Sequence, residues 1–474
     1  MEPTQELLNF AIETEFEDLP LQMVHESKRI VLDVIGVAIA ALKTDKGRYG
    51  VEMAKKFGQS TESAILGTSD RVSSCGAAFA NSELMNALDY DSAWFPTHAP
   101  PVLIPASLAL GETVGASGKD MILSIALGSE VSFRLGKSIR GMKKVFTTEE
   151  GSEIGKVINT KHSVSVIPTA VIAGALGAGK IMKLNKGKLS HVLGLAAHFT
   201  PIPQSKWKTL SRMPMTKYMC AGWASLAEVT SVLLAEAGYT GDTTALDGDL
   251  GFWRFFGSDR WDPEALTNNI GRTWEILGVV EYKPYPCMRD FHVALDCLIK
   301  IIGENKLKAE DIEQVKIQTH PSVVGATYRN KNIRDHIEAQ FSLPYVIASA
   351  AYRISPAEWQ DTERMRDPRI LSFMDKVLQE AHSEFVKVQL KEPLSNMTTV
   401  EVFTKNKTFK AEGKYPKGLP QPEFARMTDE DLLEKFKVNV SKVLPQKKVE
   451  KVIPALIELE KVENISEIIK QVTL

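Results

Sequence analysis

Val279-Val280-Glu281-Tyr282-Lys283-Pro284-Tyr285-Pro286 divides the chain into two kinds of sequence. Before it, apolar residues recur at helical spacing; after it, they alternate in short runs. The octapeptide itself is extended and stiffened by two prolines, as a crossing between two structural units should be. Upstream, Leu21, Val24, Val31, Val34, Ile35 and Ala38 mark a buried helix, and Val192, Leu193, Leu195 and Ala196 another. Ala170, Ala173, Gly174, Ala175, Gly177, Ala178 and Gly179 offer small surfaces on which helices can approach closely. Downstream, Val315–Thr319, Phe385–Leu390 and Thr399–Phe403 alternate as half-buried strands do, with helical stretches at Val293–Ile302 and Leu343–Ala351 between them. A Gly/Pro-rich connector, Gly413 to Pro422, leads to a capping box at Thr428-Asp429-Glu430-Asp431 and then to charged helices. The expected fold is mainly α with an α+β second domain. Residues 1–272 would form the helical core, 273–408 an inserted α+β lid, and 409–474 C-terminal helices returning to the core.

A length of 474 residues suits two or three domains, and 44% hydrophobic with 24% charged residues is ordinary for a globular chain. The formal net charge of −2 removes the electrostatic case for nucleic acid or an anionic membrane as partner. The most apolar early stretch, Ile30 to Leu42, is too short to span a bilayer and is interrupted by Asp33. Cys75, Cys220, Cys287 and Cys297 lack zinc or CxxC spacing, so reduced thiols are expected. With no signal-like apolar region after the acidic start, a cytoplasmic location is expected.

Gly174 to Lys180 fits GxxxxGK, but Ile181 stands where a phosphate loop needs Ser or Thr, and no strand precedes it. Close helix packing explains the glycines better. Asn86-Ala87-Leu88-Asp89-Tyr90-Asp91-Ser92-Ala93-Trp94-Phe95-Pro96-Thr97-His98-Ala99-Pro100-Pro101 is the most unusual stretch. It sets two carboxylates and His98 on a Pro-rich loop between helices, where catalytic groups gather; helix capping by the aspartates accounts for them about as well. A metal site there is the weakest of the three readings, since no second ligand set accompanies it. His162 opens the Ala/Gly-rich helix, where an anion could bind and a proton be shuttled, although a capping histidine would look the same. Lys217 leads into the apolar stretch Ala221–Ala237 and needs either an anionic partner or a route to water. Lys283-Pro284-Tyr285-Pro286-Cys287-Met288-Arg289-Asp290-Phe291-His292 concentrates hydrogen-bond donors in one stiff turn. Cys287 reads as a buried structural thiol, because nothing marks a base for it. His191 and His198 read as satisfied core histidines.

These segments together resemble the MmgE/PrpD family, which includes 2-methylcitrate dehydratase, cis-aconitate decarboxylase and iminodisuccinate epimerase. The resemblance is carried by Phe16–Pro20, Lys28–Ala38, Leu88-Asp89-Tyr90-Asp91 with His98, Lys161-His162-Ser163, and Thr216-Lys217. Lys283–Cys287 with His292, and Phe341-Ser342-Leu343-Pro344-Tyr345, complete it. It implies a helical domain built from both chain ends, an inserted α+β lid, a homodimer, and a pocket between the domains that needs no cofactor or metal. By the same resemblance Asp89, His98, His162, Lys217 and His292 line that pocket as catalytic residues. Asp89 and His162 would transfer protons, while Lys217, His98 and His292 would hold carboxylates. Lys283, Tyr285, Arg289, Tyr328 and Arg329 are the expected substrate-binding residues, the histidines being charged. The chain departs from the family pattern at Ser92-Ala93, His98-Ala99-Pro100 and Tyr328-Arg329-Asn330-Lys331.

The activity so implied is a hydro-lyase acting by acid–base chemistry on a small di- or tricarboxylate, with 2-methylcitrate-type dehydration foremost. Decarboxylation of the cis-aconitate type and epimerisation of the iminodisuccinate type would use the same groups and differ in where one proton goes. A non-catalytic carboxylate-binding protein on the same fold, and a zinc- or iron-dependent hydro-lyase, are the alternatives of other kinds.

Overall fold

The Ala/Gly-rich stretch forms one buried helix at the heart of a helical layer in the computed structural model, which describes residues 2–94, 97–139, 167–201, 213–217, 219–255 and 261–474. Nine helices introduce the first unit: α1 (Pro3–Glu13), α2 (Leu21–Ala40), α3 (Asp45–Lys56), α4 (Ser74–Ala87), α5 (Pro100–Val114), α6 (Gly118–Ser138), α7 (Ile167–Ile181), α8 (Lys186–Phe199) and α9 (Ala221–Glu236). Helix α7 packs against α5, α6, α8 and α9. A Cβ on Gly177 would lie 2.6 Å from the Ser124 carbonyl oxygen of α6, and one on Gly174 would overlap the Glu228 carboxyl of α9. These glycines serve close helix packing, and the phosphate-loop reading has no structural support. The helical unit also carries a hairpin, β1 (Gln59–Ala64) with β2 (Arg71–Val72), which the periodicity did not single out.

The second unit is built on a four-stranded sheet of β3 (Ile312–Thr319), β4 (Val377–Ala381), β5 (Thr398–Thr404) and β6 (Thr408–Gly413), in the order β4-β3-β5-β6. Strands β3 and β4 run parallel, and the other two pairs are antiparallel. Val315, Ile317 and Thr319 alternate inward along β3. Helix α10 (His292–Glu304) packs on β5 and β6 and against α12 (Leu343–Ala351), which follows the short α11 (His336–Gln340).

Two expectations need correction. Phe385–Leu390 is not a strand but lies within helix α13 (Phe385–Lys391), of which only Phe385 is buried. Short apolar runs fit either period, and here the sheet position is taken by Val377–Ala381. The boundaries at 273 and 408 also differ. Ile276, Val280 and Tyr282 belong to the first core, the second core runs from Cys287 onward apart from Met213, and β6 starts at Thr408 and ends at Gly413.

The first core draws on residues from Leu7 to Tyr282 and again from Met427 to Val472. The chain returns through α14 (Asp429–Val440) and α15 (Gln446–Ile457), and Thr428 caps α14 with Asp431 as a capping box. Inside the joint, the Lys435 ammonium of α14 lies 2.6 Å from the Asp33 carboxylate of α2 and donates to the Tyr90 carbonyl at 2.7 Å. Asp33 also accepts the Ser92 N–H at 2.8 Å. Burial pushes the Asp33 carboxyl up and the Lys435 ammonium down, so desolvation offsets much of their attraction. Among the described residues, no helix is long and apolar enough to cross a membrane.

Lys435→Met should therefore destabilise the protein by about 3–5 kcal/mol, because it strands a buried carboxylate. Asp33→Asn in the same chain should regain most of that loss while still accepting the Ser92 N–H. Denaturant midpoints of the single and double variants check this.

Candidate active site

A helix ends with carbonyls that have no partner inside the helix. At and just past the C-terminus of α4, four consecutive buried carbonyls are each met by a different side chain, and Asn86 O also accepts the Asp89 N–H at 3.3 Å. Asn86 O accepts from Lys217 Nζ at 2.8 Å, and Ala87 O from Gln340 Nε2 at 2.7 Å. Leu88 O accepts from Gln360 Nε2 at 2.8 Å, and Asp89 O from Lys283 Nζ at 3.0 Å. Two of the four donors are cations, as the negative end of a helix favours. Asp89 then turns the chain with φ 54°, a left-handed conformation that aspartate tolerates better than most residues. Its carboxylate meets the same two lysines, Oδ1 at 3.3 Å from Lys217 and Oδ2 at 2.8 Å from Lys283. Lys217 is itself left-handed, at φ 48°, in the turn after Pro214. Backbone of this kind persists where surrounding contacts over-determine it, often at functional sites.

Burial raises the Asp89 carboxyl, but Lys283 and Lys217, with His98, outweigh it and hold the group well below the usual range. Asp89 is thus a fixed anion and a weak base. Lys217 is also fully buried; desolvation brings its ammonium down to about 8 although Asp89 opposes this. The two directions are compatible, since one carboxylate enjoys two cations while each lysine shares a single carboxylate. Lys46 stands nearby, its ammonium 2.9 Å from Asn86 Oδ1 and 3.4 Å from Glu83.

Next along the loop, His98 Nδ1 lies 2.8 Å from Asp91 Oδ2. Burial raises Asp91, but the His98 charge and hydrogen bond pull it below the usual range. A buried carboxylate on Nδ1 orients the ring and fixes Nδ1–H as the donor, which makes Nε2 the proton-exchanging nitrogen. The loop is tied to the octapeptide by two bonds between Ala93 and Glu281, of 2.9 and 2.7 Å, and by the Tyr90 hydroxyl donating to Pro284 O at 3.2 Å.

The structure brings Asp89, Lys217 and Lys283 into direct contact, with His98 beside them. His292 differs from its expected role. It is fully buried, with Nε2 3.3 Å from Cys287 O and Nδ1 3.4 Å from Arg289. Burial first, then Arg289 and Lys283, keep it well below 6.5, so it supplies no positive charge at neutral pH. Arg289 pairs with Glu281 at 3.1 Å and donates to Tyr282 O at 3.1 Å, tying the turn together. The Tyr285 ring stacks on Trp359 at 5.7 Å, its hydroxyl donating to Asp296 at 2.9 Å. Burial pushes the Cys287 thiol well up, as the structural reading requires. Tyr328 packs edge-on against Phe291 and Arg329 donates to Gln379 O at 2.7 Å; no described contact joins either to Asp89 or the lysines. His162 lies outside the described residues. His191 and His198 are not core histidines: the first is half-buried, 3.2 Å from Gly241 O, and the second is exposed.

Sequence reasoning missed Gln340, Gln360 and Lys46. The one available signal was Gln340, a polar residue at the edge of the apolar run Phe341–Tyr345. No group of three or more His, Cys, Asp or Glu side chains is arranged to hold a metal among the described residues.

Comparison with known proteins extends the picture to nearly the whole chain. The family model of the MmgE/PrpD N-terminal domain matches residues 5–264, and that of the MmgE/PrpD C-terminal domain matches residues 285–459. Cis-aconitate decarboxylase of Homo sapiens is 25% identical over 473 residues, covering 94% of this chain and 89% of its own. Its Mus musculus counterpart is 25% identical, covering 94% and 88%. Cis-aconitate decarboxylase of Aspergillus terreus is 22% identical, covering 98% and 95%.

Gln360 also donates to Pro286 O at 2.8 Å, so Gln360→Leu would leave two buried carbonyls unmet. The expected loss is about 1–3 kcal/mol for each carbonyl. Hydrogen exchange followed by mass spectrometry should show faster exchange confined to residues 86–94 and 281–288. Unchanged exchange there would mean that Gln360 does not hold the loop.

Proposed function

The chain belongs to the MmgE/PrpD family, and from that premise we propose that it is a lyase removing CO2 from a small polycarboxylate of the cis-aconitate type, by proton transfer among its own side chains. The observation that carries this reading is the pair of buried ammonium groups, Lys217 and Lys283, converging on the single carboxylate of Asp89. That trio carries a net positive charge in a low-dielectric site, next to the His98–Asp91 pair. The relatives favour decarboxylation over the 2-methylcitrate-type dehydration expected from the sequence.

In such a reaction the C–C bond to one carboxylate breaks and CO2 leaves. The bonding electron pair moves onto carbon conjugated with a remaining carboxylate, and a proton takes the place of CO2. The positive charge of Lys217 and Lys283 would stabilise the enolate-like charge as it develops. Asp89, held so far below its usual range, is cast as the anchor of the two lysines and not as a base. Proton delivery passes to His98, oriented by Asp91, and His162 keeps the second proton-transfer role that the family resemblance implies.

Proton NMR in D2O with cis-aconitate, 2-methylcitrate and iminodisuccinate, each supplied separately, tests this. Consumption of cis-aconitate with CO2 release and one deuterium gained per turnover is expected. Lys217→Ala should lower kcat/KM by roughly 10²–10³-fold. Folded protein that dehydrates 2-methylcitrate and leaves cis-aconitate intact would overturn the reading. Since Lys217 acts as a cation whose ammonium titrates at about 8, kcat/KM should fall as pH rises through that value. Lys217→Arg, which stays protonated, should lose that basic limb in whatever activity it keeps. A wild-type profile flat to pH 10 would remove the charge role from Lys217.

A further inference from the structure

Helix α11 is barely more than one turn long, and its two ends meet the site differently. At its C-terminal end Gln340 is fully buried and donates to Ala87 O, one residue after the carbonyl that Lys217 meets. His336 stands four residues earlier, so its side chain lies on the same face, about 5–6 Å along the helix. The ring is 2% exposed, and its Nε2 has no hydrogen-bond partner among the described residues. The Lys217 and Lys46 ammonium groups lie within Coulombic reach of it, as do the Asp335 and Asp45 carboxylates, with burial and Lys217 the largest influences. A buried imidazole nitrogen without a partner costs about 1–3 kcal/mol, so it calls for an explanation. With the Lys217 and Lys46 ammonium groups also in reach of such a ligand, a carboxylate acceptor fits that nitrogen.

We infer that His336 is a further substrate-binding residue, whose Nε2–H donates to a second carboxylate of the polycarboxylate that Lys217 holds. This rests on the carboxylate reading of the site. Burial, and after it the charge of Lys217, bring the His336 ring down to about 4, so it is neutral at pH 7. A neutral donor can bind a carboxylate without adding to the repulsion among the lysines. It therefore separates polycarboxylates, which reach both groups, from monocarboxylates, which reach only one. The proline-free Arg334-Asp335-His336 segment places the ring through the Asp335 cap, whose carboxylate accepts the Glu338 N–H at 2.9 Å.

The test combines turnover of cis-aconitate with calorimetric binding of tricarballylate, a saturated tricarboxylate that cannot react. His336→Phe keeps a ring in place and removes the donor; His336→Gln restores a donor of similar reach. Circular dichroism establishes that both variants are folded. His336→Phe should raise KM and the tricarballylate Kd about tenfold, with kcat within threefold of the wild type. His336→Gln should recover at least half of that loss on a logarithmic scale. A purely structural histidine would leave Kd unchanged in His336→Phe, and that result overturns the inference. Tricarballylate bound by the wild type and lost in His336→Phe, with cis-aconitate not turned over, would uphold His336 and sink the decarboxylase reading instead. A wild type that neither binds tricarballylate nor converts cis-aconitate overturns both.

Discussion

Four consecutive carbonyls, from Asn86 to Asp89, each accept from a side chain on one of four other segments of the chain, and Asn86 O also accepts the Asp89 N–H. An unmet carbonyl in that buried position would weigh on the fold, so each donor is held where it is by need as well as by packing. Lys217 comes from the turn before α9, Lys283 from the crossing between the units, and Gln340 and Gln360 from the second unit. One helix terminus thus joins both cores and brings two cations to the carboxylate that follows it.

That arrangement explains why the residues of the site have such unequal chemistry. Asp89 has two ammonium partners and is locked as an anion, whereas Lys217, buried and sharing that carboxylate with Lys283, has its ammonium brought down to about 8. Asp91 has a histidine in place of a lysine, so its charge orients the imidazole ring. Two aspartates separated by one residue come to play different parts through what each of them faces.

The helical first unit and strands β3 and β5 were legible because their periods are regular and their apolar faces are buried. Val377–Ala381 was not, since Val-Leu-Gln-Glu-Ala carries no alternation, and the better-patterned run at Phe385 forms a helix on the surface. In the site, Asp89, Lys217 and Lys283 were found because charged residues beside prolines or apolar runs are conspicuous, and the family resemblance tied them together. Gln340, Gln360 and Lys46 were not, because a glutamine or lysine in a helix or turn looks alike whether it meets water or a buried group of another segment. The neutral state of His292 was hidden because burial, its main cause, is a property of the fold, although Arg289 in the same turn acts in the same direction.

The joint between Lys435 and Asp33 bears on how the protein is made. Lys435 reaches the Tyr90 carbonyl, and Asp33 holds the Ser92 N–H, so the loop that carries Asp89 and Asp91 is braced from a helix near the chain's end. On the ribosome, residues 89–92 emerge more than three hundred residues before their brace. The bracing of that loop is therefore completed only after the second unit has been translated in between. A chain truncated before α14 would keep every residue assigned to the site and still lack the support that shapes it.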